Sequence, residues 1–344
     1  MSSDARAVWM QAPRQVVVRS EELPELPADQ VCVRAQWSAI SQGTELLVYR
    51  GQVAGDMSLD LPTLQGSFAF PIKYGYALVG QVEAVGAQVT TVAVGDAVFV
   101  LHPHQDRCHV PVPLVKKIPA TVPLPAAVLA ANMETAINIV LDTNPRMGEC
   151  VVVVGLGIVG MLVAWLLQRH PVQVLAVDVS AERRQLAHQL GVTRVCDPSA
   201  VADSLANLTA ERGADAVVEV SGNPQALATS TAWVAQEGRV VVASWYGTKP
   251  VTLDLGSHFH RRRLQLISSQ VGQLPAALLP RWDTARRMQL VWQMLALLPY
   301  QDVITHTFAF TDAATAYAQL DAAQVPMMQV VLAYPPAHEG AHDV

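Results

Sequence analysis

Residues 151–168, VVVVGLGIVGMLVAWLLQ, leave a chain few ways to fold. Four β-branched residues in a row predict a strand buried on both faces, and the apolar run after the glycines continues at a length that only a helix can use. Each glycine of G-L-G-I-V-G has a mechanical reason. Gly155 lets the chain leave the strand in a tight turn, Gly157 lets backbone approach a pyrophosphate, and Gly160 lets the helix lie close to the sheet. The orphan N–H groups that open such a helix point at phosphates, aided by its dipole, so Leu156, Ile158 and Val159 join the glycines as candidate cofactor-binding positions.

A second strand, VQVLAVD, starts at Val172 and ends in Asp178. That is close to the ~20-residue spacing expected for the acid that binds the ribose of a dinucleotide. A carboxylate there accepts from the ribose hydroxyls and repels a 2′-phosphate, which favours NAD over NADP. The competing reading is an ordinary βαβ turn with Asp178 as a strand-end cap.

With 344 residues and no low-complexity tract, the chain can bury the cores of two domains. From Ala7 to Ile40 it runs in short β-type segments, and the pattern resumes as YGYALVGQVEAVG and GDAVFVLHP. Prolines 111, 113, 119, 123 and 125 mark the way out of this β domain. A helix is expected over 126–142, and strand and helix then alternate in the rhythm of a doubly wound parallel sheet, with LQLISS a further strand and 284–298 a helix. The tail reads strand, helix, strand, and has nowhere to pair except with the first domain. The expected domains are 1–118, completed by 300–344, and 119–299.

The net charge is −6 and the one compact basic cluster is Arg261, Arg262 and Arg263, which argues against nucleic acid as a partner. No secretory signal pattern and no membrane span are read, so a cytoplasmic protein is expected. Cysteines 32, 108, 150 and 196 are scattered, without a CxxC pair, and suit neither a structural zinc lobe nor a disulfide framework.

In this order the segments resemble the medium-chain dehydrogenase/reductase superfamily. Residues 41–45, SQGTE, fall where members carry Cys-Gly-Thr-Asp; Gly75-Tyr76-Ala77 falls at the Gly-His-Glu site; VGQVEAVG, Gly95-Asp96-Ala97-Val98, Glu134-Thr135-Ala136 and Gly222-Asn223-Pro224 also have counterparts. The resemblance implies an α/β chain with a GroES-like β-barrel catalytic domain and a Rossmann sheet, hydride exchange between a nicotinamide and an alcohol or carbonyl substrate in the interdomain cleft, and a homodimer. It also implies Thr135 under the nicotinamide and Ser221, Ser244 and Trp245 at cofactor-binding strand ends. Trp245 and Tyr246 are bulky there; they wall a pocket for an extended substrate or pack at a domain edge.

The departures concern the metal. Where zinc-dependent members place ligands this chain has Gln42, Tyr76 and Ala131, and a proton-relaying histidine is replaced by Leu47. Catalytic zinc needs about three N, S or carboxylate ligands, so no metal site is expected. The stretch SQGTELLVYRG is similar to a zinc-lacking branch that includes the bacteriochlorophyllide hydroxyethyl dehydrogenases.

Without a Lewis acid, the charge that builds on a reduced oxygen must be met by a hydrogen-bond donor. Thr44, Tyr76, His102 and His104 are the candidates, each with a plainer alternative: a turn hydroxyl, a core tyrosine, two histidines of a solvated loop. Lys73 is expected on the surface, Glu134 to fix a loop or touch substrate, and the run SHFHRRR to meet an anion or form a solvated face. Two other functions remain open: reduction of a quinone or enone, and a catalytically inactive dinucleotide sensor.

Overall fold

The computed structural model describes residues 3–59, 61 and 63–335. β1 (Ser3–Ala12) and β2 (Gln15–Leu23) form an antiparallel hairpin. β3 (Gln30–Ile40) leads to the short α1 (Thr44–Tyr49), and β4 (Leu78–Val85), β5 (Ala97–Val100), β6 (Arg107–Pro111) and β7 (Lys116–Lys117) follow. β3 is the hub, antiparallel to both β4 and β6, with irregular register at Cys32/Val33 and Ala35/Trp37 that bends it. The expected helix over 126–142 is two: α2 (Leu124–Ala127), then α3 (Ala130–Thr143).

Strand and helix then alternate as expected: β8 (Cys150–Val154), α4 (Ile158–Leu167), β9 (Gln173–Val177), α5 (Ala181–Gln189), β10 (Val195–Cys196), α6 (Val201–Thr209), β11 (Ala214–Glu219), α7 (Pro224–Ser230), β12 (Val234–Val242) and β13 (Gln265–Ser268), closed by α8 (Thr284–Leu297) and α9 (Tyr300–Val303). The sheet is parallel throughout, in the order β10-β9-β8-β11-β12-β13. Its direction of growth reverses between β8 and β11, the place where α/β sheets bind ligands. Every residue of β8 is buried, which is why this strand reads as a cysteine followed by four valines.

The tail forms β14 (Ile304–Ala309), α10 (Ala313–Ala322) and β15 (Gln329–Ala333). β15 lies antiparallel on β3, Val330 opposite Ile40, so the tail pairs with the first strands as its pattern required. Residues 336–344, the end of the expected completing segment, lie outside the described residues.

The chain divides into two compact units, one running to Ala131 and resumed at Ile304, the other Asn132–Val303. The first runs past the boundary at 118 because α2 packs against β4. Its core joins Leu46, Leu47 and Tyr49 of α1 to Tyr317 and Leu320 of α10 and to Val330 and Leu332 of β15. Tyr49 and Tyr317 stack with ring centres 5.4 Å apart. The four cysteines are free. Among the described residues no helix is long and apolar enough to cross a membrane.

Candidate functional site

In the first unit the site begins at the N-terminus of α1. The Ser41 N–H donates to Glu45 Oε1 at 2.9 Å, and the Thr44 N–H donates back to Ser41 Oγ at 3.3 Å, a reciprocal pair across the turn that enters the helix. Glu45 is fully buried, and its Oε2 accepts from Tyr317 and faces His104 Nε2 at 2.9 Å. A carboxylate only accepts, so Nε2 carries the proton between them. On the other side of the ring, Nδ1 lies 2.8 Å from Ser38 Oγ, itself 2.8 Å from the Tyr334 hydroxyl.

Tyr76 lies half-buried beside this network, its ring edge-on to Tyr74. Burial pushes its phenol up to about 12, the Glu45 charge adds to the rise, and hydrogen bonds with the Ser41 and Thr44 hydroxyls offset part of it. The hydroxyl is therefore a donor at any ordinary pH. Thr44 is half-buried too.

Neither histidine lies in a solvated loop. His104 is fully buried with both ring nitrogens engaged, and His102 is buried with Nδ1 against the Pro103 carbonyl. Desolvation holds His102 down at about 4, so it is neutral. Lys73, expected on the surface, is half-buried, its ammonium donating to Glu21 Oε2 and Gln105 Oε1 at 2.8 and 2.9 Å. Leu47, at the place of the relay histidine, is a core residue.

The second unit gathers the cofactor candidates at the C-terminal ends of its strands. Gly155 has φ +96°, and a Cβ on it would stand 2.6 Å from Ser221 Cα. A Cβ on Gly160 would stand 1.8 Å from the Gly155 carbonyl oxygen, whereas nothing lies within 4 Å of the one that Gly157 lacks. The turn is thus closed where helix meets strand and open where a ligand would approach. No side chain caps α4, so its first N–H groups face that opening. Asp178, at the end of β9, accepts from the Leu156 N–H at 2.6 Å and the Ser180 N–H at 2.8 Å, which ties the ribose-binding candidate to the turn.

One carboxylate escaped the sequence reading here. Glu219, fully buried at the end of β11, accepts from Ser221 through both N–H and hydroxyl, and from Tyr246. A glutamate inside the apolar run AVVEV was the signal. Ser244 Oγ accepts from the Gly222 N–H at 2.9 Å, so Trp245, 37% exposed, projects between two anchored neighbours. Thr135 and Glu134 lie on α3. Glu134 meets the Arg287 guanidinium at 2.7 Å, and Arg287 donates to the Val271 carbonyl, so Glu134 does fix a loop. In the basic run, Arg262 donates to the Val234 carbonyl and Arg263 pairs with Glu237.

Two family models match: "Alcohol dehydrogenase GroES-like domain" over residues 27–112 and "Zinc-binding dehydrogenase" over residues 154–288. A D-guloside 3-dehydrogenase of Escherichia coli K12 is 26% identical over 329 residues, which cover 90% of this chain and 93% of that protein. The chain belongs to the medium-chain dehydrogenase/reductase superfamily. Among solved structures of this fold, 2R,3R-butanediol dehydrogenase from Bacillus subtilis superposes with a TM-score of 0.80 at 19% identity, covering 96% of this chain and 100% of that one. A short chain alcohol dehydrogenase of E. coli CFT073 complexed with NADH gives 0.77 at 20% identity, covering 96% and 99%. As a member of the superfamily the protein is an NAD(P)-dependent oxidoreductase.

Dehydrogenases of the superfamily that bind zinc need a ligand set that the residues here do not fit. Gln42 spends its amide N–H groups on the Met327 and Met328 carbonyls, both at 2.9 Å, Ala131 offers a methyl group, and Glu45 and His104 are engaged with each other and with Ser41, Tyr317 and Ser38. Among the described residues no three His, Cys, Asp or Glu side chains stand together to hold a metal ion.

Proposed function

We propose that this medium-chain dehydrogenase/reductase is a zinc-independent, NAD(H)-dependent oxidoreductase of the zinc-lacking branch, acting on a small alcohol or its carbonyl. The observation that carries the reading is the half-buried Tyr76 hydroxyl, set beside the Ser41 and Thr44 side chains and the Glu45 carboxylate. When bound, the nicotinamide supplies or takes up the hydride. The open turn at Gly157, Asp178 and the strand-end residues Ser221, Ser244 and Trp245 would hold the dinucleotide, with Thr135 toward its nicotinamide.

In the reductive direction Tyr76 gives its proton to the nascent alkoxide, and Thr44 and Ser41 orient the phenol and pass a proton back to it. Such a donor contributes about 10²–10⁴-fold as a general acid. His102 and His104 do not touch substrate in this reading. Asp178 supports NAD over NADP by repelling a 2′-phosphate. The reading includes a cytoplasmic homodimer paired along β13, the edge strand of the parallel sheet, on which Leu266 is exposed.

The test is turnover after exhaustive dialysis against a chelator. Purified protein is assayed with NADH and NADPH against ketones, aldehydes, enones and quinones, with metal content measured in parallel. Carbonyl-dependent NADH oxidation unaffected by chelation supports the reading. Loss of rate with loss of zinc, or turnover of enones or quinones alone, overturns it.

A further inference from the structure

We infer that His104 is a positioning residue that locks the two donor-bearing segments, residues 41–45 and 75–76, into one arrangement. The inference rests on the proposed roles of Tyr76 and Thr44, and deepens them.

His104 touches both segments. Its ring fills the space a side chain at Gly75 would occupy: a Cβ there would lie 2.8 Å from both Cδ2 and Nε2, and Gly75 has φ +128°. The imidazole therefore packs directly on the peptide that carries Tyr76. Its Nε2 reaches Glu45 Oε2, and the other carboxylate oxygen of Glu45 takes the Ser41 N–H. One ring thus joins the backbone of one donor to the turn that carries the other.

The ring is itself held from behind. Nδ1 faces Ser38 on β3, and the Ser38 hydroxyl meets Tyr334 just beyond β15, so the imidazole is referenced to two paired strands. Full burial, with one ring nitrogen on Glu45 and the other on Ser38, leaves His104 to hold its neighbours rather than to touch substrate. Holding donors in register is a template role, and a misplacement of about 1 Å can cost about 100-fold in rate.

The experiment uses the full-length chain with His104→Gly, which opens an imidazole-sized hole beside Gly75. Hydrogen exchange followed by mass spectrometry should show residues 41–45 and 75–77 losing protection together, and regaining it with added imidazole. N-methylimidazole, which fills the hole without both accepting and donating, should not restore it. This readout needs no turnover, so it stands apart from the assay of the proposed function. With a turned-over carbonyl, kcat should fall about 100-fold, recover with imidazole alone, and leave the NADH dissociation constant unchanged. Exchange that rises in only one segment or in neither, or equal rescue by both imidazoles, overturns the inference. Should the glycine variant fail to fold, His104→Gln is measured by the same exchange criterion; unchanged protection in a folded His104→Gln with kcat lowered would equally overturn it.

Discussion

Tyr317 of α10 donates its phenolic proton to the same Glu45 oxygen that faces His104, and its ring meets the imidazole edge-on at 6.4 Å. A helix near the end of the chain thus closes a site that begins at residue 41. Burial and the Glu45 charge hold the Tyr317 phenol well above its ordinary value, so it remains a donor throughout the working range. Tyr317→Phe removes a donor from a fully buried carboxylate. Hydrogen bonds to charged groups contribute roughly 1.5–3 kcal/mol, and a loss of that size is expected in urea unfolding with an unchanged m-value.

Tyr76→Phe keeps the ring and removes the proton. We expect kcat for carbonyl reduction to drop by about 10²–10⁴-fold, with the NADH dissociation constant unchanged because the glycine turn belongs to the other unit. The phenol is pushed up to about 12 by burial and by Glu45, so its proton is present through neutral and mildly alkaline pH. The rate of reduction should accordingly show no basic limb from this group in that range. Glu45→Gln removes a charge that raises the phenol, so any basic limb moves to lower pH. A pH–rate profile of the wild type and both variants checks the sign.

Gly160→Ala puts a methyl group where the Gly155 carbonyl oxygen lies 1.8 Å away, against backbone that cannot yield cheaply. The turn must open and the helix lift from the sheet. Calorimetric titration should show NADH affinity lost in a folded protein. Gly157→Ala meets no atom of the chain within 4 Å. Any loss of affinity there is steric exclusion of the ligand itself, and the pair of variants separates the two roles.

Asp178→Ala has two effects with opposite signs. It removes the carboxylate that would repel a 2′-phosphate, and it frees the Leu156 N–H that the carboxylate fixes at 2.6 Å. The expected outcome is weaker NADH binding with the ratio of NADPH to NADH affinity raised, read from fluorescence titrations. An unchanged ratio would remove Asp178 from cofactor choice.

The parts of this protein that sequence reveals are those set by local chemistry. The glycines of residues 155–160 declare a turn because each solves a steric problem within six residues, and β8 declares itself buried because every position is apolar. The return of the tail to β3 was legible because a leftover β segment had one sheet to join. The network around Glu45 was not legible. Its members stand at positions 38, 45, 104, 317 and 334, with no periodicity to link them, and a glutamate on a short helix reads as solvated until His104 and Tyr317 are seen against it. The same long-range pairing explains Lys73, whose partners Glu21 and Gln105 lie on other segments.

His102 should make the protein sensitive to acid before any catalytic group titrates. Desolvation, with help from the Lys73 charge, holds the folded imidazole at about 4, while the Pro103 carbonyl and Glu21 pull the other way. An unfolded histidine titrates near 6.5. Between the two values the unfolded chain binds a proton that the folded chain refuses. Stability from keeping His102 neutral is therefore complete above about pH 6.5, declines as pH falls toward about 4, and is constant below that, with a total of about 3 kcal/mol. Carboxylates titrate over part of the same window, so the slope of the wild type alone does not assign the effect. His102→Gln retains polarity without a titrating ring, and the difference between wild type and variant, followed by urea unfolding at pH values across the window, isolates it. Parallel pH curves for the two proteins would show that His102 is solvated in solution.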